Sequence, residues 1–314
     1  MPELPEVQTI ISDLNKKIVG DTITDFWSNW PKTIKGKSLA IFKKEIIDRK
    51  IIGIRRIGKN IFIDLSGGKT LYIHLKMTGH LLVKSAKLKV KSGKKDYFQD
   101  KVNQYIHHVW YLKSHNPKPE THSLNYDKTI EFSDVRKFAK IVLDDTQKIK
   151  ELKEIKALGI DALDKKFTLE RFEDILEKRK NTPIGIILME QERISGIGNI
   201  YRSEILFEAG ILPERLVKDI KGPGIKKLYS AIQKVLKKAI KLRGTSDSDY
   251  RDTAGAPGNF QKALKVYKKN GKKCRAYRTA ALKRGEQPGQ KCDTIIIRGK
   301  LGQRSVFFCP ACQK

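Results

Sequence analysis

The hydrophobic period changes twice along this chain, and those changes limit the folds open to it. Leu4, Val7, Ile10, Ile11, Leu14 and Ile18 are spaced for one face of an α-helix behind the N-terminus. From Ile51 the apolar runs become short and rich in β-formers: Ile51–Ile54, Ile61–Leu65, Leu71–Leu75, Val109–Leu112, Thr129–Phe132 and Ile141–Leu143. Ser66-Gly67-Gly68 makes a turn between two of them. From Thr168 the spacing is helical again, in Thr168–Lys178, Pro183–Gln191, Ile200–Ala209 and Ile225–Leu242. Pro183 suits a first helical turn and Gly210 a helix stop. The pattern predicts an α+β chain: an N-terminal β-sandwich with a leading helix, then a helical domain. Lys84–Lys101 reads as an extended loop, 144–159 as a linker into helical structure, and Gly244–Gly258 as a loop.

Charge narrows the partner. Lys and Arg number 65 against 35 Asp and Glu, a formal net charge of +30, while 39% hydrophobic residues suffice for real cores. A globular chain with this excess points to a polyanion, DNA or RNA first, with a solvated basic surface as the alternative. No run approaches the roughly 18 apolar residues of a membrane span. Met1-Pro2-Glu3-Leu4-Pro5-Glu6 is wrong for a secretory signal, so a cytoplasmic protein is expected, nucleoid-associated if its partner is DNA. All four cysteines lie between Cys274 and Cys312; in a reducing compartment such clustering favours a metal over disulfides.

Met1-Pro2-Glu3-Leu4-Pro5-Glu6-Val7 resembles the start of the formamidopyrimidine-DNA glycosylases. The likeness continues in order through His74-Leu75-Lys76-Met77-Thr78-Gly79, Asp134-Val135-Arg136-Lys137-Phe138, Gly196-Ile197-Gly198-Asn199-Ile200-Tyr201-Arg202-Ser203-Glu204, Pro257-Gly258-Asn259-Phe260-Gln261 and Cys309-Pro310-Ala311-Cys312-Gln313-Lys314. The resemblance implies a catalytic sandwich domain at 1–145, a helix–two-turns–helix DNA-binding domain at 146–262, and a zinc-finger β-hairpin at 263–314 with an insertion near 275–291. It also implies a monomer acting on damaged double-stranded DNA.

The implied chemistry is base excision with strand cleavage. Once Met1 is removed, the Pro2 amine would attack C1′ of the damaged nucleotide and form an iminium. A terminal amine, with a reference pKa near 8, is far more often neutral at pH 7 than a lysine, and a nearby cation such as Lys59 lowers it further. Glu3 is the implied general acid/base, Glu6 the second acidic residue that positions the N-terminus, and Lys59 the phosphate contact beside the lesion. Without the resemblance, Glu3 and Glu6 read as ordinary helix-dipole complements.

Met77, Arg136 and Phe138 would fill the void left by an extruded nucleotide, with Arg136 pairing the orphaned base. Pattern alone would place Met77 and Phe138 in a core. Asn199, with Tyr201 nearby, would meet phosphates at a helix start, and Arg304 in the hairpin would contact DNA. Glu204 would orient the motif, and Ser246–Tyr250 would lie along the pocket for the extruded base.

One structural zinc ion would be held by Cys274, Cys292, Cys309 and Cys312. The first pair departs from the family's C-x2-C spacing, and a rival alignment puts Gly289 at the first ligand and leaves Cys274 free. Gly185 stands where many relatives carry a base-recognising lysine, which leaves lesion preference open. Oxidised purines, notably 8-oxoguanine and formamidopyrimidines, are the implied substrates of a glycosylase and AP lyase. An endonuclease VIII-like enzyme for oxidised pyrimidines and a noncatalytic zinc-containing nucleic-acid binder are the other readings.

Overall fold

The structure, a computed structural model, describes residues 1–85, 96–116, 125–276 and 292–314. Most of the expected 84–101 loop and of the 275–291 insertion lies outside these residues. Two compact units are present: Met1–Lys156 with Ile240–Gln261, and Ala157–Ala239 with Lys262–Lys314.

The first unit opens with α1 (Leu4–Ile18), whose N-cap is Glu3 and whose first turn carries Pro5. A proline costs nothing there, because its missing N–H would have no helical partner. Lys16 and Lys17 complement the dipole at the other end. Val7, Ile10, Ile11, Leu14 and Ile18 are buried in the main core.

Around this helix lie β1 (Thr22–Ser28), α2 (Leu39–Ile46), β2 (Ile51–Ile57), β3 (Asn60–Leu65), β4 (Lys69–His74), β5 (His80–Ser85), β6 (Ile106–Lys113), β7 (Lys128–Ser133), β8 (Lys140–Asp145), α3 (Thr146–Glu151) and α4 (Lys153–Lys156). The strands form two antiparallel four-stranded sheets, ordered β1-β6-β7-β5 and β2-β3-β4-β8. Register explains the core. Ile61 faces Ile73 and Ile63 faces Leu71 across β3–β4, while Ile73 and Leu71 face Ile141 and Leu143 across β4–β8. These alternate residues share one face and are buried with Ile23, Phe26, Trp110 and Phe132 of the other sheet. Each such side chain contributes about 1.5–3 kcal/mol by leaving water. Phe62, Tyr72 and Val142 occupy the opposite face and pack with Ile149 of α3, so β3 is apolar on both sides.

β1, β5 and α2 carry no clear period in the sequence. β1 has a bulge between Ile23 and Asp25, which breaks alternation, and β5 begins with the fully buried His80.

The second unit holds β9 (Ile160–Asp161), α5 (Leu169–Glu177), α6 (Ile184–Ile187), β10 (Ile194–Ser195), α7 (Asn199–Ala209), α8 (Gly222–Lys241), and the hairpin β11 (Ile297–Leu301) and β12 (Arg304–Phe308). β9 and β10 pair in parallel, β11 and β12 antiparallel. The helix expected over Pro183–Gln191 shrinks to α6, with Pro183 at its N-cap rather than in its first turn. The reason lies at Gln191, whose carbonyl accepts from Gly159 N–H and whose side chain donates to Ile197 O at 2.8 Å. Those bonds pull the backbone out of helix. α7 ends as expected, with Gly210 in the left-handed region at φ 71°.

Candidate functional site

In the first unit the N-terminus is clamped by one carboxylate. Glu3 N–H donates to Glu6 Oε2 at 2.8 Å, and Thr245 N–H donates to Glu6 Oε1 at 2.7 Å. Glu6 is 1% exposed and Glu3 3%, and Pro2 is buried. Gly244 is at φ 79°, and a Cβ there would lie 2.7 Å from Glu6 Oε1. Only glycine lets the backbone turn and approach the carboxylate together. Lys59 sits at the β2–β3 turn, 5% exposed.

Met77 and the Arg136–Phe138 pair stand on two neighbouring loops. Met77 is 40% exposed and Phe138 is 54% exposed, so neither belongs to a core. The Arg136 guanidinium lies over the Phe138 ring, 4.8 Å from its centroid. Lys76 and Lys137, immediately before Met77 and Phe138, adopt left-handed backbone at φ 53° and 58°. That conformation is costly for residues other than glycine, so each loop is held in it by its surroundings. Asp134, 1% exposed, supplies the hold. Its carboxylate accepts from the Thr78 hydroxyl, from Arg136 N–H at 3.3 Å and from Ala139 N–H at 3.1 Å. Beside them, His74 Nδ1 accepts Lys76 N–H at 2.9 Å. Burial, then the Lys76 and Lys59 charges, push the His74 imidazole down to about 4.

The second unit organises its helix start around Arg202, 1% exposed. One guanidinium nitrogen donates to Gly185 O at 3.2 Å; the other donates to Asn199 Oδ1 at 2.6 Å and Ser305 O at 3.0 Å. Arg202 thereby ties α6, the first residue of α7 and the hairpin together. With its oxygen occupied, the Asn199 amide keeps a nitrogen donor for an anion at the helix N-terminus. Tyr201, expected among the DNA contacts, is wholly buried in this turn. Arg304 is exposed at the hairpin tip. Glu204 accepts backbone N–H bonds from Lys265, Val266 and Tyr267 at 2.8–2.9 Å, fixing the approach to the cysteines. Gly185 is packed too tightly for a side chain, since a Cβ would lie 2.8 Å from both Pro213 O and Leu301 Cδ2.

Cys274, Cys292, Cys309 and Cys312 converge, with all four sulfurs within 4.8 Å of one another. Two of the separations are 3.9 Å (Cys274–Cys312) and 3.7 Å (Cys292–Cys309). Tetrahedral zinc with Zn–S bonds near 2.3 Å requires sulfurs roughly 3.8 Å apart, so the set fits a metal. Cys274 is inside the cluster, as the four-cysteine set requires. Gln313 braces the last knuckle: it accepts from Cys309 N–H and donates to Ile211 O, each at 2.8 Å.

Several supporting residues carried no functional mark in the sequence. Asp134, Thr78 and Arg202 sit inside the quoted motifs, and only those motifs could have pointed to them. Thr245 lies in a loop with no signal of its own. Tyr250, expected along a pocket, is 6% exposed and packs in the main core.

Residues 1–141 match the formamidopyrimidine-DNA glycosylase N-terminal domain and residues 158–250 the H2TH domain of the same enzymes. The formamidopyrimidine-DNA glycosylase of Pelotomaculum thermopropionicum is 35% identical over 314 residues, covering 100% of this chain and 99% of its own. That of Carboxydothermus hydrogenoformans is 34% identical, with 100% of both chains covered. Among solved structures, the Lactococcus lactis Fpg in complex with DNA containing an abasic site superposes with a TM-score of 0.78 at 28% identity, covering 99% of each chain. The same enzyme in complex with DNA containing Fapy-dG gives 0.77 at 28%, covering 99% of this chain and 100% of its own. Fold, site and relatives define a DNA glycosylase of base-excision repair. The chain belongs to the formamidopyrimidine-DNA glycosylase family.

Proposed function

We propose that this enzyme removes oxidised purines, 8-oxoguanine and formamidopyrimidines, from double-stranded DNA and then cleaves the strand as an AP lyase. The observation that carries the reading is the buried N-terminal clamp, in which Glu6 holds the Glu3 N–H one residue from Pro2. With Met1 removed, the Pro2 amine attacks C1′ and the base departs. The resulting iminium is permanently charged because the amine is secondary, and it acidifies the C2′ proton for elimination. Glu3 serves as general acid/base for ring opening and proton transfer. Lys59 holds the adjacent phosphate. Met77 and Phe138 fill the vacated stack while Arg136 pairs the orphaned base. Unstacking and unpairing a base costs a few kcal/mol, part of which such insertion offsets.

In the second unit, Asn199 and Arg304 contact phosphates. Zinc is the metal the four thiolates suit, and its role is structural, since four protein ligands leave no open position for chemistry. The enzyme acts as a monomer in the cytoplasm, at the nucleoid. Leu4, the Met77, Arg136 and Phe138 set and the early Asp134-x-Arg136-x-Phe138 element resemble the purine-directed branch of the family, which favours purine lesions over oxidised pyrimidines.

Borohydride reduction during turnover tests the mechanism. The expected product is DNA covalently fixed to the N-terminal peptide. Residues added ahead of Pro2 convert the amine to an amide and should abolish trapping while DNA binding persists. Trapping on an internal lysine such as Lys59, with a blocked N-terminus still active, would overturn the assignment.

A further inference from the structure

Beside the cysteine cluster, a cleft of about 830 Å³ is lined by Lys262, Lys265, Lys269, Lys272, Lys273 and Arg275, against one carboxylate, Asp293. Glu204 lies behind its wall, but its carboxylate is buried under the 265–267 backbone that it accepts from. Some lysines elsewhere are paired, such as Lys69 with Asp145, Lys128 with Asp21 and Lys84 with Glu131, each within 2.8 Å. Among the described residues, Lys265, Lys272, Lys273 and Arg275 make no such pair. Lys269 is held below the usual lysine range by burial; the Glu204 charge offsets part of this, and Lys265, Lys272 and Arg275 repel its charge further. Crowded, unneutralised cations around a concavity are stabilised by an anion placed in it.

The cleft is not the face that carries Asn199 and Arg304. Phe207, which lines it, is eight residues along α7 from Asn199, about 12 Å at the helical rise. Arg304 pairs with Leu301 at the hairpin tip, whereas Asp293 lies beyond the Ile297–Phe308 pair at its base. Four residues of strand separate tip from base, about 13 Å. Two independent rulers therefore put the cleft at the far end of both elements.

We propose that this cleft is a second phosphate-binding surface, which takes the backbone of nucleic acid lying outside the lesion-binding face. Its volume exceeds that of a single small anion, and lysines act as point charges that accept phosphates without reading sequence. The inference goes beyond base excision and has its own readout.

The test uses the full metal-loaded chain and two DNAs, a lesion duplex of about 13 base pairs and an undamaged duplex of about 60, titrated across salt. The triple variant Lys265→Gln/Lys272→Gln/Lys273→Gln should bind and process the short duplex within about twofold of the parent. On the long duplex it should lose about tenfold in affinity, with a log–log salt slope shallower by about two to three. The corresponding Lys→Arg triple should behave as the parent. Lysine-acetylation footprinting of the unmodified chain provides a second measurement: long but not short DNA should protect Lys265, Lys272 and Lys273. Unchanged salt dependence on long DNA, an equal loss on the short duplex, or no protection would each overturn the proposal. So would displacement by polyglutamate in preference to undamaged duplex, which would assign the cleft to an acidic protein. Failure of borohydride trapping at Pro2 would leave these binding results intact, so the two readings fail separately.

Discussion

The Thr78 hydroxyl donates to Asp134 Oδ1, joining the loop that carries Met77 to the loop that carries Arg136 and Phe138. Both residues are buried, at 5% and 1% exposure. Thr78 Oγ1 also accepts Arg136 N–H at 3.0 Å, so the two loops share one small polar network. A displacement of either loop therefore moves both exposed tips.

Asp134→Ala should leave the Thr78 hydroxyl and Ala139 N–H without their acceptor, while Arg136 N–H keeps Thr78 Oγ1, and cost about 2–5 kcal/mol of stability. Thr78→Val should cost about 1–2 kcal/mol. Denaturant unfolding checks both. Thr78→Val should further weaken discrimination between partner bases opposite the lesion, read as the ratio of excision rates. A destabilised Thr78→Val enzyme with unaltered base discrimination would separate the network from recognition.

Glu6→Ala should remove the acceptor shared by Glu3 N–H and Thr245 N–H, at a cost of about 2–5 kcal/mol for two buried donors. Glu6→Gln keeps one acceptor oxygen and should lose less. Both variants should slow base release more than they weaken DNA binding, as single-turnover rates and equilibrium titrations will distinguish.

Cys274→Ser should release the metal as completely as Cys309→Ser, because all four sulfurs lie within 4.8 Å. Metal content by mass spectrometry should fall from about one zinc per chain to near zero in either variant. Retention of the metal after Cys274→Ser would restore the alignment that leaves this cysteine out.

His74 should make stability fall on acidification. Its imidazole is at about 4 in the folded protein against 6.5 as the ordinary value. The folded pKa is depressed, so the unfolded chain binds the proton first as pH drops. The contribution is fully present above about 6.5 and is lost as pH falls towards 4, on the order of 2–3 kcal/mol in all. A His74→Asn variant, whose amide oxygen can accept Lys76 N–H, should lose that part of the slope in urea titrations from pH 7 to pH 4. Parallel curves for the two proteins would show that His74 is not responsible.

Gly185→Ala should destabilise the second unit by about 1–3 kcal/mol, since its methyl group meets Pro213 O and Leu301. Gly185→Lys should be no better tolerated and should not broaden the range of lesions excised. A stable Gly185→Lys enzyme with altered lesion preference would mean that this backbone can open for a side chain.

Elements with a regular period and groups with fixed local spacing were legible in the sequence. α1, the strands built on Ile61–Leu65 and Leu71–Leu75, α7 with Gly210, and the Cys309–Cys312 knuckle are of this kind, because helix and strand geometry repeat over a few residues. The order of the motifs likewise identified the family. Irregular elements such as β1, with its bulge, lack the repeat and were not legible. Partners were chosen only by packing. Glu6 and Thr245 are 239 residues apart, Asp134 and Thr78 are 56 apart, and the spacing of Cys274 allowed it to be a ligand or a bystander. Packing also moved Tyr201 and Tyr250 from expected contact surfaces into the interior. Local chain geometry states which face a residue takes, but not which distant donor, acceptor or sulfur will stand against that face once the sheets and loops have packed.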